Sequence, residues 1–323
     1  MLKRFRGSCK PQTSLAGLRE RGTKRMGEEA RYAWFPGCWV SNRMPYIEAA
    51  DRRLLETFGI ELVEMKGTSC CPEPYAVLGL GRDAWLGLAG RNLSIAEEMK
   101  HDILTPCPGC YNTLKTANAT LRNNPTQRQR ANRLLSKIGR EFKEEIGVEH
   151  TVNVLYNKIG LEKIAGAIKY PLSGLRVAVH YGCHLLKPSR VTGIDDPERP
   201  MVLDQLVEVT GAASVPYVRK TLCCGGPISS VDEKTSYAIA REKLLKVKQA
   251  GADCLIVACP ACMIQYDTNQ RSVEKMFSET YDVPVLYHTE LLSLAMGITM
   301  DEIGFLHQVK VDKVLERIHA PKA

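Results

Sequence analysis

The chain has 323 residues, 44% of them hydrophobic and 25% charged, the make-up of a globular protein with room for about two domains. No apolar run approaches the ~20 residues that span a bilayer. The net charge of +8 does not signal a nucleic-acid surface, because residues 1–25 hold eight of the 44 basic residues and one of the 36 acidic ones, leaving the rest near neutrality.

Those first residues lack the apolar stretch of a secretory signal. Arg-rich and acid-poor, they are compatible with a transit peptide, a disordered arm or sequence upstream of a start at Met26. Residues 1–30 are therefore set apart as a basic tail, and Cys9, which lies in it, is given no part in the chemistry.

Residues 31–120 follow as a first structural unit. "YAWFPGC" reads as a short β-run that delivers Cys38, with Arg43 five residues later. "PYIEAADRRLLETFG" has helical spacing. "GIELVEMKGTSCC" is a second strand-like run ending in adjacent Cys70 and Cys71. Neighbouring cysteines strain when bridged to each other, so the pair asks what needs two thiolates side by side. "GLGRDA" matches a fragment of a dinucleotide fingerprint, but "EPYAVL" before it makes a poor strand. It reads as a loop opening the helix "DAWLGLAGRNLSIAEEMK", and no flavin or NAD is expected on this chain. "DILTPCPGC" is a third strand-like run, delivering Cys107 and Cys110. Residues 121–172 read as a helical connector.

A second unit spans 173–300. "RVAVHYGC" delivers Cys183, closely followed by His184 and Lys187. The helix "MVLDQLVEVTG" precedes the run "AASVPYVRKTLCC" with Cys223 and Cys224. The helix "EKTSYAIAREKLLKVKQAG" precedes "DCLIVACPAC" with Cys259 and Cys262; Cys254 in that run reads as a small buried hydrophobe. Residues 301–323 form an apolar arm and a final helix.

The two units are one pattern written twice. C…CC…CxxC recurs with offsets of 145, 153 and 152 residues at its three anchor points, absorbing ten of the twelve cysteines. Strands alternating with helices predict an α/β fold of two homologous halves with parallel sheets, joined by the helical segment. Every motif cysteine would then stand at the carboxyl end of a strand, where such sheets gather ligands. With no export signal, twelve cysteines point to metal or redox chemistry in a reducing cytoplasm rather than to a disulfide framework.

Zinc takes four ligands in a tetrahedron. Each half offers five, spread over a long stretch, and adjacent cysteines fit one small ion awkwardly. An iron–sulfur cluster has several irons and can use neighbouring thiolates. Five thiolates exceed what a four-iron cube needs, and spacing alone leaves the cluster type open.

At these residues the chain resembles the CCG repeat proteins, and the B subunit of heterodisulfide reductase in particular, from Tyr32 to the C-terminal helix. "SCCPEP", "LAGRNLSIAEEM", "VHYGCHLLKPS", "ERPMVLDQLVEVTGA" and "LLSLAMG" carry the resemblance beyond the cysteines. The run "CCGGPISSVDE" after the second pair is shorter in glycine than in other members. The resemblance implies two noncubane [4Fe-4S] clusters, one on Cys38, Cys70, Cys71, Cys107 and Cys110, the other on Cys183, Cys223, Cys224, Cys259 and Cys262. It implies reductive cleavage of a disulfide, either the coenzyme M–coenzyme B heterodisulfide or another disulfide or persulfide of sulfur metabolism. Electrons would arrive singly from the iron–sulfur C subunit of heterodisulfide reductase, fed by its flavin-containing A subunit. Arg43 and Lys187 are candidates to hold anionic ends of the disulfide, or are ordinary solvated charges. His184 is a candidate donor to a cluster sulfur or a departing thiolate, or is simply packed. A chain whose clusters only relay electrons is the alternative from another functional class.

Overall fold

The computed structural model describes residues 30–73, 77–304 and 306–319; the basic tail and Cys9 lie outside them. Among the described residues eight short strands form two sheets. β1 (Ala30–Trp34), β2 (Ile60–Glu64), β3 (Ile103–Thr105) and β4 (Val148–His150) make the first, in the order β2-β1-β3-β4. β5 (Arg176–His180), β6 (Ala213–Ser214), β7 (Cys254–Val257) and β8 (Val285–Tyr287) make the second, in the order β6-β5-β7-β8. All six pairings are parallel. Ala33 pairs with Ile103 as Ala178 pairs with Leu255, so the repeat read from cysteines persists residue by residue in the sheets.

The amphipathic segments become the crossover helices that parallel strands require. Helix Pro45–Thr57 opens with proline at its first position and buries Ile47, Ala50, Leu54 and Leu55. Helix Arg82–Met99 follows a 3-10 turn at Leu78–Leu80 and Gly81, which bears out the reading of "GLGRDA" as a helix-opening loop. Helix Glu233–Gln249 is capped by Asp232, whose carboxylate accepts the Thr235 N–H at 2.9 Å.

The segment 121–172 supplies helices, among them Pro125–Leu135 and Leu161–Ala167, but also β4, the fourth strand of the first sheet. β4 and β8 have three residues each, too few to display alternation, and neither ends in a cysteine.

The halves are interleaved rather than merely adjacent. Val40, Met44, Tyr46 and Ile47 of the first half lie in the hydrophobic cluster built on Ala178, Val257 and Tyr287 of the second. Helix Gly37–Arg43, which carries Cys38, packs on helix Pro260–Met263, which carries Cys262. Reciprocally, helix Pro108–Asn123 with Cys110 packs on helix Cys183–Leu186. Each first-cysteine helix thus lies against the other half's CxxC helix, as a pseudo-twofold relation requires.

A buried polar junction pins this arrangement. The Tyr287 hydroxyl lies 2.5 Å from the Pro106 carbonyl and 2.8 Å from the Ala258 carbonyl, sharing its proton between the residues that precede Cys107 and Cys259. His150, at the matching end of β4, donates from Nε2 to Pro106 O at 2.7 Å, while its Nδ1 accepts the Val152 N–H at 3.1 Å. Burial holds that imidazole neutral, with its pKa down at about 3. The C-terminal arm is tied to the back of the junction: Asp267 accepts from the Gln308 and Val309 N–H groups, and His307 Nε2 stands 3.2 Å from Glu290 Oε1.

Candidate functional site

In both halves the strand that precedes the first cysteine turns sharply into a helix through a glycine. Gly37 and Gly182 have φ of +77° and +78°, a backbone conformation open to glycine and rarely adopted by L-residues. Space matters as well. A Cβ on Gly37 would stand 2.7 Å from Cys110 Sγ, and one on Gly182 would stand 3.3 Å from Cys259 Cβ. The turn is kept bare so that backbone can approach sulfur.

The thiols of each half form a string of sulfur contacts, and the string is the same twice. Cys38 meets Cys70, Cys70 meets Cys71, Cys71 meets Cys110, and Cys110 meets Cys107. Cys183 meets Cys223, Cys223 meets Cys224, Cys224 meets Cys262, and Cys262 meets Cys259. Hydrogen bonds from Cys38 and then Cys71 pull the Cys70 thiol down to about 2, and those from Cys183 and Cys224 do the same for Cys223. The adjacent pairs that opened the question stand inside the string in each half, with a thiol contact on either side. Cys254 is fully buried in β7, where burial raises its thiol, as a small hydrophobe should be.

Among the described residues no three or more His, Cys, Asp or Glu side chains gather as a single metal ion requires. Five soft thiolates strung in sequence, with backbone kept clear beside them, fit a group with several metal atoms better than one tetrahedral ion.

Different supports hold the two cysteine pairs. In the first half, buried Asn92 accepts the Ser69 N–H at 3.0 Å and donates to Cys70 O at 3.1 Å. In the second, Gln265 donates to Cys224 O at 3.2 Å and to Ser236 Oγ at 2.9 Å. The Gly225 and Gly226 N–H groups point at Cys223 Sγ (3.5 Å) and Cys224 Sγ (3.4 Å). His180 Nε2 lies 3.2 Å from Cys262 Sγ. Buried Lys243 donates to the carbonyls of Arg219 and Lys220, and burial lowers its ammonium to about 7 against the opposing pull of Cys262, Cys224 and Cys223.

His184, Lys187 and Arg43 take different places. His184 spans the halves: a methyl on Gly109 would lie 3.6 Å from Cys107 Sγ and 3.9 Å from His184 Nδ1. Burial lowers its pKa, with Glu73 of the first half and Cys223 of the second opposing. Asn112 fixes that turn across the junction by donating to the carbonyls of His184 (3.0 Å) and Lys187 (2.7 Å). Lys187 stands at the mouth of a cavity of about 90 Å³ lined by Tyr181, Cys183, Pro197 and Cys223, paired with Glu198 at 3.1 Å. Arg43 is exposed, its guanidinium 5.3 Å from the Trp39 ring centroid. His180 and Asn92 lie inside runs that carry the resemblance, but nothing in the sequence marks them, Gln265 or Asn112 as neighbours of the cysteine turns. Gly37 and Gly182 are visible there, since both stand immediately before the first cysteine of their repeat.

Fold and site together define a class: a duplicated α/β protein in which each parallel sheet gathers five cysteines at one end. Residues 32–115 and 177–267 match the CCG cysteine-rich domain family. The B subunit of a ferredoxin/F(420)H(2)-dependent CoB-CoM heterodisulfide reductase of Methanosarcina acetivorans is 42% identical, over 85% of this chain and 92% of that one. An 8-methylmenaquinol:fumarate reductase membrane anchor subunit of Wolinella succinogenes is 30% identical, over 87% and 97%. A solved structure of a hypothetical protein from Helicobacter pylori shares the fold, with a TM-score of 0.70 at 16% identity; the match covers 88% of this chain and 53% of that one, so this chain spans about half its length. The chain belongs to the CCG-domain family that includes the B subunits of heterodisulfide reductases. Among the described residues no helix is long and apolar enough to cross a membrane.

Proposed function

We propose that this chain is the disulfide-cleaving subunit of a cytoplasmic heterodisulfide reductase, holding one iron–sulfur cluster in each half and a small-molecule disulfide between them. The observation that carries the reading is the identical string of five thiols in both halves, brought to one junction by helices that cross from each half onto the other. The resemblance supports two noncubane [4Fe-4S] clusters, and the name of the Methanosarcina relative supports the coenzyme M–coenzyme B heterodisulfide as substrate. When bound, such clusters supply single electrons and an iron that can take a sulfur ligand.

The chain's own residues have definable tasks. The ten cysteines hold the clusters. The bare turns at Gly37 and Gly182 let backbone come close to Cys110 and to Cys259 and Cys262. His184 occupies the ground between the two thiol strings. Lys187, and more remotely Arg43, offer charge to anionic ends of a substrate. Cleavage of one disulfide to two thiols takes up two electrons and two protons. The electrons would come from another protein, by resemblance the iron–sulfur C subunit fed by the flavin-containing A subunit.

A second reading, in which the clusters only relay charge, draws on the Wolinella relative, whose name carries a quinol and fumarate reaction instead. The two readings part experimentally. Anaerobically prepared protein should contain about eight iron and eight acid-labile sulfide, and added thiol or disulfide should perturb the reduced clusters' EPR spectrum. Cys71→Ser and Cys224→Ser, made separately, should each abolish disulfide cleavage while the other half keeps its iron. Stoichiometric zinc without sulfide would sink the cluster reading. Cleavage at near the wild-type rate with one cluster missing would sink the paired mechanism.

A further inference from the structure

The junction between the halves has a fixed place in the repeat. Tyr287 ends β8 opposite Val257, and His150 ends β4 opposite Thr105. Val257 stands two residues before Cys259 and Thr105 two before Cys107, so the two side chains occupy one position written twice. They are used differently. The hydrogen bonds of His150 stay in its own half, to the Pro106 carbonyl at 2.7 Å and the Val152 N–H at 3.1 Å. Tyr287 is fully buried, and its hydroxyl reaches both halves, 2.5 Å from the Pro106 carbonyl and 2.8 Å from the Ala258 carbonyl. Each carbonyl belongs to the peptide that continues into the first cysteine of a CxxC turn. From the hydroxyl, the way to Cys107 or to Cys259 is therefore one polar contact and one planar peptide. The next residues in register, Thr151 and His288, meet each other, Oγ1 to Nε2, at 3.2 Å. Matching residues touch where a twofold axis passes, so this link lies midway between the two thiol strings.

Resting on the paired-cluster reading above, we propose that Tyr287 is a positioning residue that fixes the separation of the two centres, and with it the placing of a disulfide between them. A disulfide has a set length of about 2.05 Å, so its two sulfurs can face two centres only if those centres keep one spacing. Apolar contacts between the halves, such as Tyr46 and Ile47 in the second-half cluster, hold them together without direction. A hydrogen bond weakens steeply with distance and angle, and so supplies the register that apolar contact lacks. Tyr287 acts through the peptide planes before Cys107 and Cys259 and not on the substrate. Without its hydroxyl, the Pro106 carbonyl would keep His150, whereas the Ala258 carbonyl would lose its bond to the first half. The CxxC turn of the second half is thus the one set free.

The test compares Tyr287→Phe with His150→Phe in anaerobic, iron-loaded protein, kept with whatever subunits co-purify. Each removes a buried partner of the Pro106 carbonyl, and the first alone cuts the hydroxyl link between the halves. EPR of the fully reduced protein reads the magnetic interaction between the centres, which falls steeply with separation. The Cys71→Ser and Cys224→Ser proteins, with one centre each, supply the spectra without interaction. Wild type should show the interaction, His150→Phe should keep it, and Tyr287→Phe should weaken and spread it. Disulfide cleavage counted per loaded pair of centres should fall roughly ten- to a hundredfold in Tyr287→Phe. The loss should be in kcat more than in KM, because Lys187 lies at the cavity beside Cys183 and Cys223 and keeps its place. His150→Phe should keep kcat per loaded pair. An unchanged interaction or an unchanged kcat per loaded pair in Tyr287→Phe would overturn the proposal, as would equal effects of the two substitutions. If His150→Phe does not load iron, the comparison of Tyr287→Phe with wild type decides alone. If Tyr287→Phe retains no iron, the residue is structural and the proposal fails. Wild-type protein without iron, or without any interaction between its centres, would instead overturn the paired-cluster reading itself, so the two failures are separable.

Discussion

At the scale of single residues, the glycines before Cys38 and Cys183 show how narrowly the site is built. Gly37→Ala meets two obstacles, a left-handed φ and a Cys110 sulfur 2.7 Å from the new carbon. The sulfur cannot retreat without breaking its contacts to Cys107 and Cys71. Gly182→Ala meets a similar φ but a nearest contact of 3.3 Å. The first substitution is expected to empty the first-half site, and the second to leave both sites at least partly loaded, with a loss of roughly 1–3 kcal/mol in stability from the backbone alone. Iron per chain, measured on the two variants side by side, checks the order; equal iron loss would show that the close approach at Gly37 is immaterial. These glycines could be read in the sequence, whereas His180 could not. A histidine ending a β-run is ordinary until a sulfur from 82 residues further on appears beside its ring.

At the scale of elements, the strands that end near cysteines were legible because alternation and a terminal Gly-Cys, Cys-Cys or Cys-Pro mark them. β6 has only two residues, although the run that predicts it is longer, because Pro216 and the residues after it leave the sheet. β4 was hidden inside what reads as a helical connector: three residues, Val148 to His150, identify themselves only by pairing with β3. The C-terminal arm could be located from sequence but its anchorage could not. His307 is buried against Glu290 and Asp267. Burial alone would lower its pKa, but the two carboxylates outweigh burial and hold it above the ordinary value. A histidine raised in the folded state contributes stability that is fully present below its unfolded value, about 6.5, and is lost as pH rises through the folded value. Protease resistance of the arm should therefore decline from slightly acid to alkaline pH. In His307→Gln that decline should flatten; an unchanged pH profile in the variant would remove His307 as its cause.

At the scale of the whole molecule, duplication was legible and interleaving was not. The cysteine spacing repeats however the halves are placed, so nothing in it tells that the helix of Cys38 rests on the helix of Cys262. The basic stretch 1–25 stands apart from this body in composition, and none of the ten clustered cysteines lies in it. Protein beginning at Met26 should keep its full iron content and thermal stability. Loss of partner proteins from that shortened chain, with iron retained, would instead make the stretch a docking arm.

The crossed helices also set an order of events during synthesis. All five cysteines of the first string have been made by residue 110, yet the helix that covers their CxxC turn begins only at Cys183. Cys38 likewise waits for a helix that begins at Pro260. A nascent chain carrying the first half alone would present a complete set of thiols before either of the helices that pack on it exists. Iron that arrives before the second half has been translated would therefore meet the first string without its cross-half contacts, and iron that arrives later would meet both strings in their final packing.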